Sequence, residues 1–165
     1  MSRFEVYWPL KPLIITQGFG IYNPAYERFG FSKHNGIDMA LPGDKVAYAM
    51  CDAYVMETGK NDGAGNYVKL RTVEPVEAEG RTGVVCLMYM HAERVLVRKG
   101  QLLKAGDPVQ ICDNTGFSTG EHLHVSAFFV GPDGTKLAYG DKETDYCFNW
   151  GVYVNRFYTV DAQKV

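Results

Sequence analysis

The chain has almost no helical periodicity, and that constrains its fold more than any other feature. No window of about ten residues or more places apolar side chains at i, i+3, i+4 and i+7. Short runs of strand-forming residues recur instead, each closed by Gly, Pro, Asn or Asp. Candidate strands fall at 13–16, 36–39, 45–49, 53–58, 67–72, 83–90, 108–112, 122–130 and 151–157. Turn clusters at 18–20, 42–44, 59–65, 114–120 and 131–134 separate them. Many short strands at this spacing predict a mostly β sandwich or barrel-like fold. A short helix is expected only at 113–119 or within 22–31. The polar segment 72–82, with Glu74, Pro75, Glu77, Glu79 and Gly80, reads as a hairpin loop or a small excursion between strands.

Composition narrows the function classes. A length of 165 residues predicts a single domain over 1–165. Hydrophobic residues at 46% and charged residues at 22% exclude a disordered chain and a coiled coil. Seventeen Lys and Arg against nineteen Asp and Glu give a net charge of −2, with no basic stripe, so no nucleic-acid partner is expected. No apolar run approaches the roughly 18 residues of a membrane span, so no membrane insertion is expected. The N-terminus lacks the apolar core of a secretory signal, which predicts synthesis in the cytoplasm without a signal peptide. Cys51, Cys86, Cys112 and Cys147 form no C-x-x-C pair and are expected to be buried free thiols of a reducing compartment. The last stretch is aromatic (Tyr139, Tyr146, Phe148, Trp150, Tyr153, Phe157 and Tyr158), which predicts core or edge-strand packing.

The four histidines, His34, His91, His122 and His124, all stand at the edge of a β-run beside turn residues. In Glu121-His122-Leu123-His124-Val125, strand alternation sends His122 and His124 to one face, about 7 Å apart. Two such imidazoles can share a metal, or one can bind it while the other acts beside it, or both can be surface residues. In His34-Asn35-Gly36-Ile37-Asp38 the Asn-Gly pair marks a turn, across which His34 and Asp38 converge. A neutral imidazole and a carboxylate are ordinary zinc ligands, and equally a solvated histidine beside a turn-capping aspartate. His91 ends the apolar run 84–90, where a backbone hydrogen bond alone would explain it. Taken together, the four histidines and one aspartate beside glycine-rich turns are most simply explained by a single site.

These residues carry a resemblance. Four blocks are similar to the lysostaphin-like family of zinc endopeptidases that cut peptidoglycan. They are Gln17-Gly18-Phe19-Gly20; His34-Asn35-Gly36-Ile37-Asp38-Met39-Ala40 with Pro42-Gly43-Asp44-Lys45-Val46; Tyr89-Met90-His91; and Asn114 to Gly120 leading into Glu121-His122-Leu123-His124. The common core covers about 14–130, leaving 131–165 as an aromatic extension. The resemblance implies a two-sheet antiparallel β fold with few short helices and a groove lined by loops. It implies one Zn2+ per chain, held by His34, Asp38 and His124, with His91 and His122 as the catalytic pair. It implies a peptidoglycan peptide as substrate, either a cross-link or a cross-bridge, and a lytic enzyme; a monomer is expected, though the sequence does not give the oligomeric state. Such an enzyme would be released by lysis or carried on a virion, as a phage endolysin is. Where the family usually has Pro before its H-x-H and an apolar-Glu pair after it, this chain has Glu121, Val125 and Ser126. The alternative is a non-catalytic regulator of wall hydrolases on the same fold, whose mark is missing ligands; none is missing here. The absence of H-E-x-x-H excludes the helical zincin arrangement.

Overall fold

The computed structural model describes residues 2–11 and 13–155. Ten strands account for most of its regular structure: β1 (Ile15–Gln17), β2 (Ile37–Met39), β3 (Val46–Tyr48), β4 (Ala53–Asn61), β5 (Gly65–Thr72), β6 (Val76–Ala78), β7 (Arg81–Val95), β8 (Leu102–Leu103), β9 (Pro108–Cys112) and β10 (Leu123–Val130). The helical content is three short 3-10 turns, at Pro24–Phe29, Lys142–Thr144 and Trp150–Tyr153. The fold is therefore mostly β and antiparallel with few short helices, as the punctuated sequence predicts.

The main sheet runs β1-β2-β10-β7-β5-β4-β8, and every pairing in it is antiparallel. β7 is its spine: its first half lies between β10 and β5, and its last residues pair with β9, which pairs with β3. The β3–β9 pair lies over one face of the sheet. Tyr89 of β7, wholly buried, donates its hydroxyl hydrogen to the Tyr48 carbonyl at 2.8 Å and accepts from the Met50 N–H at 3.1 Å.

Side-chain alternation splits the spine into two faces. Val85, Leu87 and Tyr89 of β7 and Leu123, Val125, Ala127 and Phe129 of β10 enter the main core with Ile37, Met39, Val68 and Leu70. Cys86, Phe128 and Val130 point the other way and cluster with Cys147. Asp38 and His124 share that outer parity and stand opposite one another in the β2–β10 register.

Several strand ends differ from the sequence reading. β7 continues to Val95 because a bulge absorbs the break at His91. β6 was hidden in the polar 72–82 segment. Val76 and Ala78 are buried around an exposed Glu77, and the Glu79–Gly80 turn has positive φ at both residues, the geometry of a tight hairpin. The expected strand at 151–157 is a correction. Trp150–Tyr153 is a 3-10 turn whose Asn149 side chain accepts from the Gly151 N–H, and positions 156–157 lie outside the described residues. No helix forms at 113–119; the one expected within 22–31 is the 3-10 turn Pro24–Phe29. The aromatic extension packs as expected: Trp150 is fully buried against Trp8, and Phe148 and Tyr153 pack on Phe4. Phe157 and Tyr158 lie outside the described residues.

All four cysteines are free, and burial pushes the Cys51, Cys112 and Cys147 thiols up to about 12, so they are inert near neutral pH.

The Tyr89 hydroxyl ties the second layer to the spine. Tyr89→Phe should lower unfolding stability by about 1–3 kcal/mol, the cost of stranding buried hydrogen-bonding groups. Urea denaturation checks this, and an unchanged midpoint would show that the hydroxyl does not hold the layers together.

Candidate metal centre

The site begins with the β2–β10 register. Pairing sets His124 directly opposite Asp38, and an antiparallel pair keeps facing side chains about 4.5–5.5 Å apart at Cβ. His34 reaches the same point from the turn before β2. Gly36 makes that turn possible, because a Cβ there would lie 2.3 Å from the Val125 carbonyl oxygen and 2.7 Å from His124 Nε2. Only a residue without a side chain lets the turn approach β10 so closely.

Three atoms converge. His124 Nδ1 is 2.8 Å from Asp38 Oδ1, His34 Nε2 is 3.2 Å from the same oxygen, and the two histidine nitrogens are 3.1 Å apart. Among the described residues this is the cluster with metal-ligand geometry. The His34 Nδ1–H donates to the Gly18 carbonyl at 2.8 Å, which leaves Nε2 as a lone pair aimed at the cluster. A proton on His124 Nδ1 can satisfy only one edge of the triangle, so the remaining edges set lone pair against lone pair. A cation resolves that conflict. Tetrahedral ligands at zinc distances of about 2.0–2.1 Å lie about 3.3 Å from one another, close to the spacing seen here. The residues fit zinc.

Electrostatics agree with this reading. Burial by itself would push the Asp38 carboxyl up, but the adjoining His124 and His34 imidazoles outweigh it and hold the group well below the usual carboxylate range. Burial pushes the His124 imidazole down, against the pull of Asp38, and so favours the neutral ring that ligates metals.

His91 and His122 stand beside the triangle with ring centroids 4.6 Å apart. His122 Nδ1 lies 2.9 Å from the Gly120 carbonyl and 3.1 Å from Ser118 Oγ, while its Nε2 faces Asp38 Oδ1 at 3.6 Å. His91 is placed by the bulge. Plain alternation after Val85, Leu87 and Tyr89 would send it into the core. The extra residue opposite β5 and a left-handed backbone (φ 63°) turn it toward His122 instead. Its N–H donates to the Ala64 carbonyl at 2.7 Å, and its Nδ1–H donates to the Thr115 carbonyl at 2.6 Å. Burial lowers its pKa to about 4, so the ring is neutral across the physiological range.

The structure thus brings all five sequence-predicted site residues into one place. Sequence reasoning did not find the second tier: Gly18, Thr115 and Gly120 act through their carbonyls, which leave no side-chain signature. Nor did it find Tyr26, whose ring stacks on His34 at 5.8 Å. Glu121, the departure from the usual Pro, is tied to Lys45 at 2.7 Å.

With this geometry in hand, comparison with known proteins is decisive. Residues 32–135, which contain all five side chains, match the profile of Peptidase family M23. The chain belongs to that family. It is 36% identical over 98 residues to the peptidoglycan DD-endopeptidase ShyA of Vibrio cholerae and 35% identical over 91 residues to ShyB of the same organism. These matches cover 59% and 55% of this chain but only 21% and 19% of the two relatives, so the chain spans about a fifth of their length. A zinc-containing peptidase from Vibrio cholerae superposes with a TM-score of 0.63 at 27% identity, covering 84% of this chain and 41% of that one. The catalytic domain of lysostaphin from Staphylococcus simulans shares the fold, with a TM-score of 0.61 at 22% identity over 86% of this chain and 91% of that domain.

The close approach at Gly36 yields a paired test. Gly36→Ala should cost several kcal/mol, as overpacking against backbone does, and should weaken zinc binding. Gly43→Ala, where a Cβ meets nothing within 4 Å, should do neither. Thermal unfolding and zinc titration of both variants check this; equal behaviour would show that the tight turn does not set the site.

Proposed function

We propose that this chain is a zinc-dependent endopeptidase that hydrolyses peptide bonds in bacterial peptidoglycan. The observation that carries the reading is the triangle of His34, Asp38 and His124, with two more histidines beside it whose Nδ1 atoms are engaged by backbone carbonyls. A structural zinc site normally has four protein ligands; three leave a position for substrate chemistry. Membership of a peptidase family and similarity to DD-endopeptidases support the substrate class.

In this reading His34 and His124 bind through nitrogen and Asp38 through oxygen. A zinc ion held there supplies Lewis acidity, polarising the scissile carbonyl and lowering the pKa of a water molecule. His91 and His122 do the proton work. Each has its Nδ1 engaged by a backbone carbonyl, so each leaves Nε2 as the ring's lone pair. One takes the proton of the attacking water on Nε2 and delivers it to the leaving amine; the other donates to the oxygen on which charge develops only as an imidazolium, with a proton on both ring nitrogens. The non-catalytic regulator is disfavoured by the full ligand set.

Zinc content and wall-lytic rate, measured on the same preparations, test these roles. His124→Ala should lose zinc and activity together. His122→Ala and His91→Ala should keep zinc and lose about 10²–10⁴-fold in rate. Mass spectrometry of the digested wall should show new peptide termini and intact glycan. Zinc lost from His122→Ala but kept in His124→Ala would reverse the assignment. Full activity in all three would end the enzyme reading.

A further inference from the structure

The loops around the histidine pair carry one cation with no carboxylate of its own. Lys33 and Lys45, on neighbouring segments, are tied to Glu143 at 2.6 Å and to Glu121 at 2.7 Å. Arg28, in the turn Pro24–Phe29, has no carboxylate within 4.0 Å among the described residues. Its guanidinium carbon instead lies 5.1 Å from the Phe29 ring centre and 5.3 Å from that of Phe117. The two rings meet edge to face at 5.2 Å and form a platform under the charge. A guanidinium held on aromatic rings keeps its in-plane N–H donors available for a bidentate acceptor.

The platform sits among the segments that position the proposed catalytic pair. Phe117 lies between Thr115, whose carbonyl holds His91, and Ser118, whose hydroxyl is 3.1 Å from His122 Nδ1. The Phe117 N–H donates to the Gly63 carbonyl at 2.8 Å, and the next residue, Ala64, accepts from the His91 N–H at 2.7 Å. Phe29 packs on the same hairpin: a Cβ on Gly63 would lie 3.3 Å from its ring. Arg28 therefore stands where its own turn meets two loops, 61–65 and 113–120, that hold His91 and His122.

Resting on the function proposed above, we propose that Arg28 is a specificity-determining residue that binds a carboxylate of the substrate, close along the chain to the bond that is cut. A stem peptide carries free carboxylates; a glycine cross-bridge carries none along its length. The site is thereby assigned to acidic stem-peptide cross-links. A guanidinium–carboxylate fork supplies the discrimination, since the amide of the same shape accepts one hydrogen bond fewer and carries no charge.

The test uses a pair of cross-linked stem-peptide dimers, one with free carboxylates and one with the same groups amidated, together with a pentaglycine-bridged substrate. The zinc-loaded enzyme should show a kcat/KM for the free acid about tenfold above that for the amide, the worth of one charge-assisted contact. Arg28→Gln should bring the ratio close to one with zinc content and melting temperature unchanged, and Arg28→Lys should restore part of it. Equal rates on acid and amide, or a preference that survives Arg28→Gln, would overturn the assignment. Cleavage of pentaglycine alone would overturn it and leave the peptidase reading standing. Zinc-loaded enzyme that cuts none of the three would overturn the peptidase reading itself.

Discussion

The pairing of β2 with β10 is the contact on which the site depends. It sets the carboxylate of Asp38 against the imidazole of His124 on the sheet face away from the main core. A slip of one residue in β2 would turn Asp38 to the opposite face, away from His124, and bury its carboxylate in the apolar cluster. The apolar neighbours prevent that slip. Leu123 and Val125 on β10, with Ile37 and Met39 on β2, are buried on the inner face and fix the register. The extension reinforces it, because the Trp150 indole N–H donates to the Val125 carbonyl at 2.8 Å, one residue from His124. Gly36 completes the geometry by letting the His34 turn close against the same strand. Ordinary hydrophobic burial on one face thus preorganises polar chemistry on the other.

The second pair of histidines is held by a different device. His91 sits in a left-handed conformation that disfavours a residue with a Cβ, at a cost of about 1–3 kcal/mol. Its N–H donates to the Ala64 carbonyl, its carbonyl accepts from the Asp113 N–H, and its ring donates to the Thr115 carbonyl, which together hold it there. The segment 113–120 also supplies the Gly120 carbonyl to His122. One loop therefore fixes the tautomers of both rings, and its contact with Phe29 and the 61–65 hairpin makes it a shared wall. Strain at a bulge beside the cluster of His34, Asp38 and His124 is where the fold departs from regular pleating because a side chain must be re-aimed.

Much of this was legible in the sequence, for identifiable reasons. The strand pattern was readable because turn residues punctuate it. The ligand set was readable because H-N-G-I-D and H-L-H place donors at spacings that a turn and a pleat convert into one face. The direction of His91 was not readable, since alternation predicts the wrong side and a bulge has no local signature in Tyr89-Met90-His91. β6 was missed because its two apolar residues are surrounded by charge, and the strand at 151–157 was misassigned because aromatic composition fits a packed 3-10 turn as well as an edge strand. The contact of Arg28 with Phe117 was not readable because the two are far apart in sequence and adjacent only through the loops.

The central claim is that a single zinc is held by two imidazole nitrogens and one carboxylate oxygen. X-ray absorption at the zinc edge of the metal-loaded protein reads those ligands directly. The account predicts one zinc per chain with only nitrogen and oxygen neighbours at about 2.0–2.2 Å, two of them showing the outer-shell scattering of imidazole. A sulfur neighbour at about 2.3 Å, or four imidazoles, would place the metal elsewhere and contradict it.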